Sequence, residues 1–196
     1  MEYIVINGQK PLKGNVTISG AKNAAVAIIP ATVASGGVCV IDNVPHIEDV
    51  INLTCALESI GAVCEFKDDK HTLVVDTTNI NSHVLCEKLA KSTRASYYFM
   101  GALLARFGRV TMPVPGGCEI GLRPMGYHLK GFEALGATCR QEHGMVEIVA
   151  KDGLKGGNVY LDSPSVGATI NIMLAAVFAE GVTQIENSAK EPHVVI

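Results

Sequence analysis

Residues 47–60, IEDVINLTCALESI, place apolar side chains at Val50, Leu53, Leu57 and Ile60, a helical stripe that Gly61 is positioned to close as a C-terminal cap. Residues 125–135, MGYHLKGFEAL, carry a similar stripe at Met125, Leu129, Phe132 and Leu135, closed by Gly136. After each stripe the apolar period changes from helical to alternating. AVCEF turns at KDDK into TLVVD, and ATCRQ turns at EHG into MVEIVA, so two hairpins are predicted. The KDDK turn reads as a solvated hairpin tip.

Ahead of these stripes the chain repeats itself. SGAKNAAVAIIPATVASGGVCVIDNVP and SVGATINIMLAAVFAEGVTQIENSAKEP both run from small residues into an Ala-rich helix pattern. Gly37 or Gly181 follows, then VCVIDN or VTQIEN, at a shared offset of 144 positions. STRASYYFMGALLARFGRVTMPVPGG fits the same template, with Gly108 in the corresponding place. The unit is helix, strand, helix, strand, strand, with a period of roughly 72 residues. A unit of this kind buries its apolar faces only against its siblings, so three copies are expected to close around a shared core of helices. The third copy reaches EPHVVI where its second helix should begin, and reads as unfinished.

Composition bounds the class. With 196 residues, 48% of them hydrophobic, and a mean hydropathy of +0.28, the chain has material for one large domain or two small ones. The balance of 16 Lys plus Arg against 19 Asp plus Glu gives a net charge of −3, without the basic clusters that nucleic-acid binding demands. The longest uncharged run, 23–41, contains Pro30, two glycines and polar groups, and reads as helix, turn and strand rather than a membrane span. MEYIVINGQK lacks the basic start and apolar core of a signal peptide, so a cytoplasmic protein with no membrane partner is expected. No GxGxxG or GxxxxGK[ST] motif supports a dinucleotide or a nucleoside triphosphate.

The candidate chemistry lies in loops and helix starts. Six cysteines show no Cys-x-x-Cys pair, which argues against a zinc knuckle or dithiol site, and they are expected to be free thiols. Cys39, Cys55, Cys64 and Cys139 fall in apolar patterns as small core fillers. Cys118 differs: MPVPGGCEIGLRP sets it in a Gly/Pro loop beside Arg123, where cationic company and solvent access favour the thiolate; the competing reading is an inert surface thiol. Lys22 and Asn23 open the first repeat helix, Arg94 the second and PSVGAT the third. Helix starts with cations suit phosphate or carboxylate, against the alternative of ordinary caps and solvated charges. His128, on the polar border of its helix, reads as a packing or hydrogen-bonding residue rather than a general base.

SGAKNAA, TRAS, PGGCxIGxRP and SVGAT, in this order and at these intervals, resemble the UDP-N-acetylglucosamine enolpyruvyl transferase family, and the likeness covers essentially the whole chain. The resemblance implies an inside-out α/β barrel of the enolpyruvyl transferase type, built from repeated βαβαββ units and here truncated in the third. It implies that residues 1–20 complete an absent second domain while 21–196 form the first, with the active site in the cleft between the two domains. The implied reaction moves the enolpyruvyl group of phosphoenolpyruvate to the sugar 3-hydroxyl by addition and elimination, with no metal or other cofactor. Matched position by position, Cys118 is the loop cysteine that protonates the phosphoenolpyruvate methylene and can form an adduct with it. Lys22 and Arg123 neutralise that substrate's phosphate and carboxylate, and Asn23 is a substrate-contacting amide. Arg94, Arg123, Pro124, Met125, Gly126, Tyr127, Ser163, Pro164, Ser165, Val166 and Gly167 fall where the nucleotide sugar binds. Gly126 departs from the acidic residue that many relatives carry there to hold the uracil. The family's general base and a further phosphate-binding arginine belong to the second domain, so the fragment alone is expected to be inactive. Three other readings remain: the sister 3-phosphoshikimate enolpyruvyl transferase, which lacks the loop cysteine and the SGAKNAA start, a module that binds ligand without turnover, and a purely structural domain with solvated cations.

Overall fold

The computed structural model of the chain describes residues 3–9, 11–67, 70–114 and 125–195. The first repeat unit comprises α1 (Lys22–Ala31), a 3-10 turn (Thr32–Ser35), β1 (Val38–Ile41), α2 (Glu48–Ser59), β2 (Val63–Phe66) and β3 (Leu73–Asp76). In the second, a short helix α3 (Glu87–Ser92) and a 3-10 turn (Arg94–Tyr97) lead into α4 (Tyr98–Phe107), followed by β4 (Arg109–Pro113), α5 (Gly126–Ala134), β5 (Thr138–Glu142) and β6 (Met145–Val149). The third unit supplies β7 (Asn158–Tyr160), α6 (Val166–Ala176), β8 (Gln184–Glu186) and α7 (Pro192–Val195). Both predicted stripes are helices, and both predicted hairpins form.

The sheets repeat the topology. Strand order is β1-β3-β2 in one and β4-β6-β5 in the next, all antiparallel, so the first strand of each unit pairs with its last. The third unit adds the entry strand of the βαβαββ pattern, because β7 pairs with β8 in parallel. In the second unit that entry strand shrinks to one parallel bridge, Val84 to Thr111. Beside β1 the described residues supply no entry strand: residues 3–9 and 11–20 have no regular structure, and Ile4, Leu12 and Val16 are exposed.

Helices occupy the inside and sheets the outside, as the barrel reading requires. α4 packs on both α1 and α6, and Phe99, Leu103 and Leu104 are fully buried there, each stabilising the core by about 1.5–3 kcal/mol. One sheet face turns inward through Leu73 and Val75, while Val38, Val40 and Val63 on the other face are exposed. Two glycines set how closely the inner helices approach. A Cβ on Gly101 of α4 would lie 2.3 Å from the Asn171 carbonyl oxygen, and one on Gly131 of α5 would lie 2.4 Å from Ile172 Cδ1, so α6 is gripped from both sides.

The left-handed residue ending the first inner helix is Gly36 (φ 64°), as Gly108 (φ 65°) ends α4, while Gly37 stands directly before β1 as Gly108 stands directly before β4. Pro30 lies in the last turn of α1, and the 3-10 turn that follows tightens the exit by one residue. Among the described residues, no helix is long and apolar enough to cross a membrane.

Candidate active site

The three helix starts that the sequence singled out converge, but they are not alike. α1 begins at Lys22 after Ala21, which provides no side-chain cap. α6 begins at Val166 and is capped by Ser165, whose Oγ accepts from the Ala168 N–H at 3.3 Å. The middle start is a 3-10 turn opened by Arg94, with Thr93 Oγ1 accepting from the Ala95 N–H at 3.3 Å. A cavity of about 570 Å³ lies among them. Lys22 and Asn23, Arg94, and Val166 line it, one contribution from each unit.

Asp49, in the first turn of α2, organises this cavity. Its carboxylate pairs with the Lys22 ammonium through one oxygen and accepts from Thr93 Oγ1 at 2.6 Å through the other. Those two hydrogen bonds, Lys22 first and then Thr93, hold the Asp49 carboxyl below the usual carboxylate range. Asp49 thus links the residue that opens α1 to the residue that caps the turn carrying Arg94. Glu191 also lines the cavity, so its two cations face two carboxylates. An anion entering here shares Lys22 with Asp49. The Lys22 side chain keeps 57% of its exposure, which leaves donor positions open to a ligand.

Tyr97 and Tyr98 form the aromatic wall, with ring centroids 4.4 Å apart. Burial and then Tyr97 itself raise the Tyr98 phenol far above its usual value, so it stays protonated. Gly167, in the first turn of α6, leaves the space that Tyr97 occupies: a Cβ there would lie 2.8 Å from the Tyr97 hydroxyl.

Other sequence-predicted positions fall around this centre. Ser163 and Pro164 lie in the exposed approach to α6, next to Asp162, which accepts from Lys130 Nζ at 2.9 Å. Met125, Gly126 and Tyr127 form the entry to α5, with Met125 and Tyr127 half-buried against the core and neither lining the cavity. Cys118, Arg123 and Pro124 lie outside the described residues. Sequence reasoning missed Asp49 and Thr93: an acidic residue in a first helical turn looks like ordinary dipole compensation, and nothing in its spacing marks a partner 27 positions upstream. It also missed Glu191 and His193, which reach the cavity from the start of α7.

Comparison with known proteins bears on this arrangement. The family model described as EPSP synthase (3-phosphoshikimate 1-carboxyvinyltransferase) matches residues 6–196. The chain belongs to the EPSP synthase family. Among curated relatives, the UDP-N-acetylglucosamine 1-carboxyvinyltransferase 2 of Clostridium acetobutylicum is 54% identical over 196 residues, covering 100% of this chain and 46% of the relative. UDP-N-acetylglucosamine 1-carboxyvinyltransferase 3 of Caldanaerobacter subterraneus is 52% identical over 195 residues, with 100% and 46% covered. The chain spans about half the length of the curated relatives it matches. Of solved structures, the enolpyruvyl transferase NikO from Streptomyces tendae superposes with a TM-score of 0.81 at 22% identity, over 94% of this chain and 43% of that one. An EPSP synthase from Acinetobacter baumannii gives 0.71 at 21%, over 96% and 43%. These superpositions establish a partial α/β enolpyruvyl transferase fold.

Proposed function

We propose that these residues form one face of the active site of an enzyme that transfers the enolpyruvyl group of phosphoenolpyruvate to the 3-hydroxyl of UDP-N-acetylglucosamine, a step of peptidoglycan synthesis in the cytoplasm. The observation that carries the reading is the convergence of Lys22, Asn23, Arg94 and Val166 on one cavity, in a chain 54% identical to a relative named for that transfer. The sister 3-phosphoshikimate reading is less well supported, because the relatives of high identity carry the nucleotide-sugar name and the solved EPSP synthase is only 21% identical.

The chemistry suits the residue types. Cys118 gives its thiol proton to C3 of phosphoenolpyruvate while the sugar 3-oxygen bonds to C2 and loses its own proton to a base on the opposite face. Loss of phosphate from C2, with a C3 proton passing to the Cys118 thiolate, then restores the double bond as an enol ether and regenerates the thiol. Charge develops on an already anionic substrate, and fixed cations at Lys22 and Arg123 stabilise it without reorganising. The nucleotide sugar lies toward Arg94 and residues 163–167. Residues 1–20 complete a second domain that brings the opposite face and the general base, and neither substrate is turned over without it.

The test is phosphate release from phosphoenolpyruvate and UDP-N-acetylglucosamine by the 196-residue chain and by a full two-domain protein carrying the same residues. Release is expected only from the two-domain protein, and only when UDP-N-acetylglucosamine is present. Release with shikimate 3-phosphate instead of the nucleotide sugar would assign the sister activity, and release by the 196-residue chain alone would place the whole apparatus in this half.

A further inference from the structure

A buried polar network stands directly behind the aromatic wall and has no part in the chemistry above. Asn171, at the middle of α6, is fully buried, and its Oδ1 accepts from the Gly101 N–H of α4 at 2.8 Å. A backbone N–H can only donate, so this bond fixes the orientation of the amide. The Asn171 Nδ2 therefore faces His128 Nδ1, 3.0 Å away in the first turn of α5. An amide NH2 has no acceptor, so Nδ1 must accept, and the single proton of the neutral ring resides on Nε2. The tautomer of His128 follows from one backbone N–H two hydrogen bonds along the network.

The ring so held has a second contact. Its edge meets Tyr97 at 5.1 Å between centroids, with planes at 60°. Tyr97 ends the turn opened by Arg94, and on its other side it fills the space above Gly167. It is therefore wedged between His128 of α5 and the start of α6. We propose that His128 is a positioning residue: locked as the neutral Nε2–H tautomer by Asn171, it braces Tyr97 and so sets the place of Arg94 relative to the α6 start. The inference rests on the reading that this side of the cavity takes the nucleotide sugar.

The charge environment agrees with the geometry. Burial first, then the Arg94 charge, lowers His128 to about 4. Around it the packed elements carry Arg94, Tyr97, Tyr98 and Arg106 ahead of and within α4, Tyr127, Lys130 and Glu133 on α5, Cys139, Arg140 and Glu142 on β5, Tyr160 on β7, and no ionisable side chain on α6. An imidazolium here would repel Arg94 and lose the Asn171 bond.

The experiment uses the 196-residue chain. Nitrogen NMR of the histidine rings at pH 6–7 should show His128 with a protonated Nε2 and an unprotonated Nδ1; an Nδ1–H tautomer or an imidazolium overturns the proposal. Asn171→Asp keeps an acceptor for Gly101 but offers His128 an acceptor instead of a donor, which inverts the tautomer. Titration with UDP-N-acetylglucosamine should then show affinity about tenfold weaker than wild type, and equal affinity overturns the positioning role. If Asn171→Asp does not fold, His128→Asn replaces it, keeping an acceptor for Asn171 while removing the ring from Tyr97, with the same expectation. If wild type itself does not bind the nucleotide sugar, the titration is repeated on the two-domain protein carrying the same residues, and absence of binding there means that the nucleotide-sugar reading fails. The Arg94 Nε–Hε resonance then decides the brace separately: it must differ between wild type and variant, and coincidence overturns it.

Discussion

Replacing Asp49 with alanine removes one carboxylate and disconnects two walls of the cavity. Thr93 is buried, at 3% exposure, and its hydroxyl loses a charged acceptor at 2.6 Å, which costs about 1.5–3 kcal/mol. The pair with Lys22 is partly solvated and adds about 0.2–1 kcal/mol. The total of about 2–4 kcal/mol corresponds to a Tm drop of about 4–16 °C for a chain of this size. Asp49→Asn should lose roughly half as much, since an amide oxygen still accepts from Thr93. The pH dependence has a definite sign. The folded-state value is lowered, so the stabilisation is fully present above the unfolded carboxyl value near 3.9 and is lost as pH falls through the folded value. Thermal unfolding of wild type and Asp49→Ala from pH 7 to pH 2.5 checks both features. The gap in Tm should be constant above about pH 5 and should narrow in acid toward the share that a neutral acceptor for Thr93 retains. A silent substitution at pH 7, or a gap that does not narrow at the acid end, would refute the link between Asp49, Lys22 and Thr93.

His128 gives a second pH signature: with its folded value at about 4 against roughly 6.5 unfolded, wild type should lose about 3 kcal/mol as pH falls between those values. His128→Asn should flatten that slope in urea titrations. Burial pushes the Cys64 and Cys139 thiols up to about 12, so brief iodoacetamide labelling and peptide mapping should find them unmodified while Cys118 is alkylated. Gly101→Ala forces a Cβ to 2.3 Å from the Asn171 carbonyl oxygen, and calorimetry should show a loss of about 1–3 kcal/mol or more as α4 and α6 separate.

Periodicity made the repeat legible. The stripes ending at Ile60 and Leu135 became α2 and α5 because 3.6-residue spacing survives packing, and the alternating segments became hairpins because each has one buried face. What periodicity does not encode is where a short element slips or shrinks. Gly36 takes the left-handed cap and Gly37 precedes β1, where Gly108 does both in the second unit; α3 has no counterpart in the other units, and the middle inner helix starts as a 3-10 turn at Arg94. The site was legible only in its cations. Lys22, Asn23 and Arg94 stand at repeat-equivalent places in the sequence, and the fold brings them to one cavity. Asp49 and Asn171 were invisible because their roles depend on partners in other units: Thr93 is 44 positions from Asp49, and Gly101 is 70 from Asn171. His128 was read as a hydrogen-bonding residue, and its bond to Asn171 agrees with that reading.

The central claim is that the three repeat-equivalent helix starts form one ligand-binding face, and amide NMR of the 196-residue chain titrated with UDP-N-acetylglucosamine tests it most directly. Shifts are expected to concentrate at Arg94, Tyr97 and residues 166–168, and to be lost in Arg94→Ala while the rest of the spectrum is retained. Shifts confined instead to the apolar groove between α1 and α6, around Ile28, Met173 and Val177, or shifts unaffected by Arg94→Ala, would contradict the account.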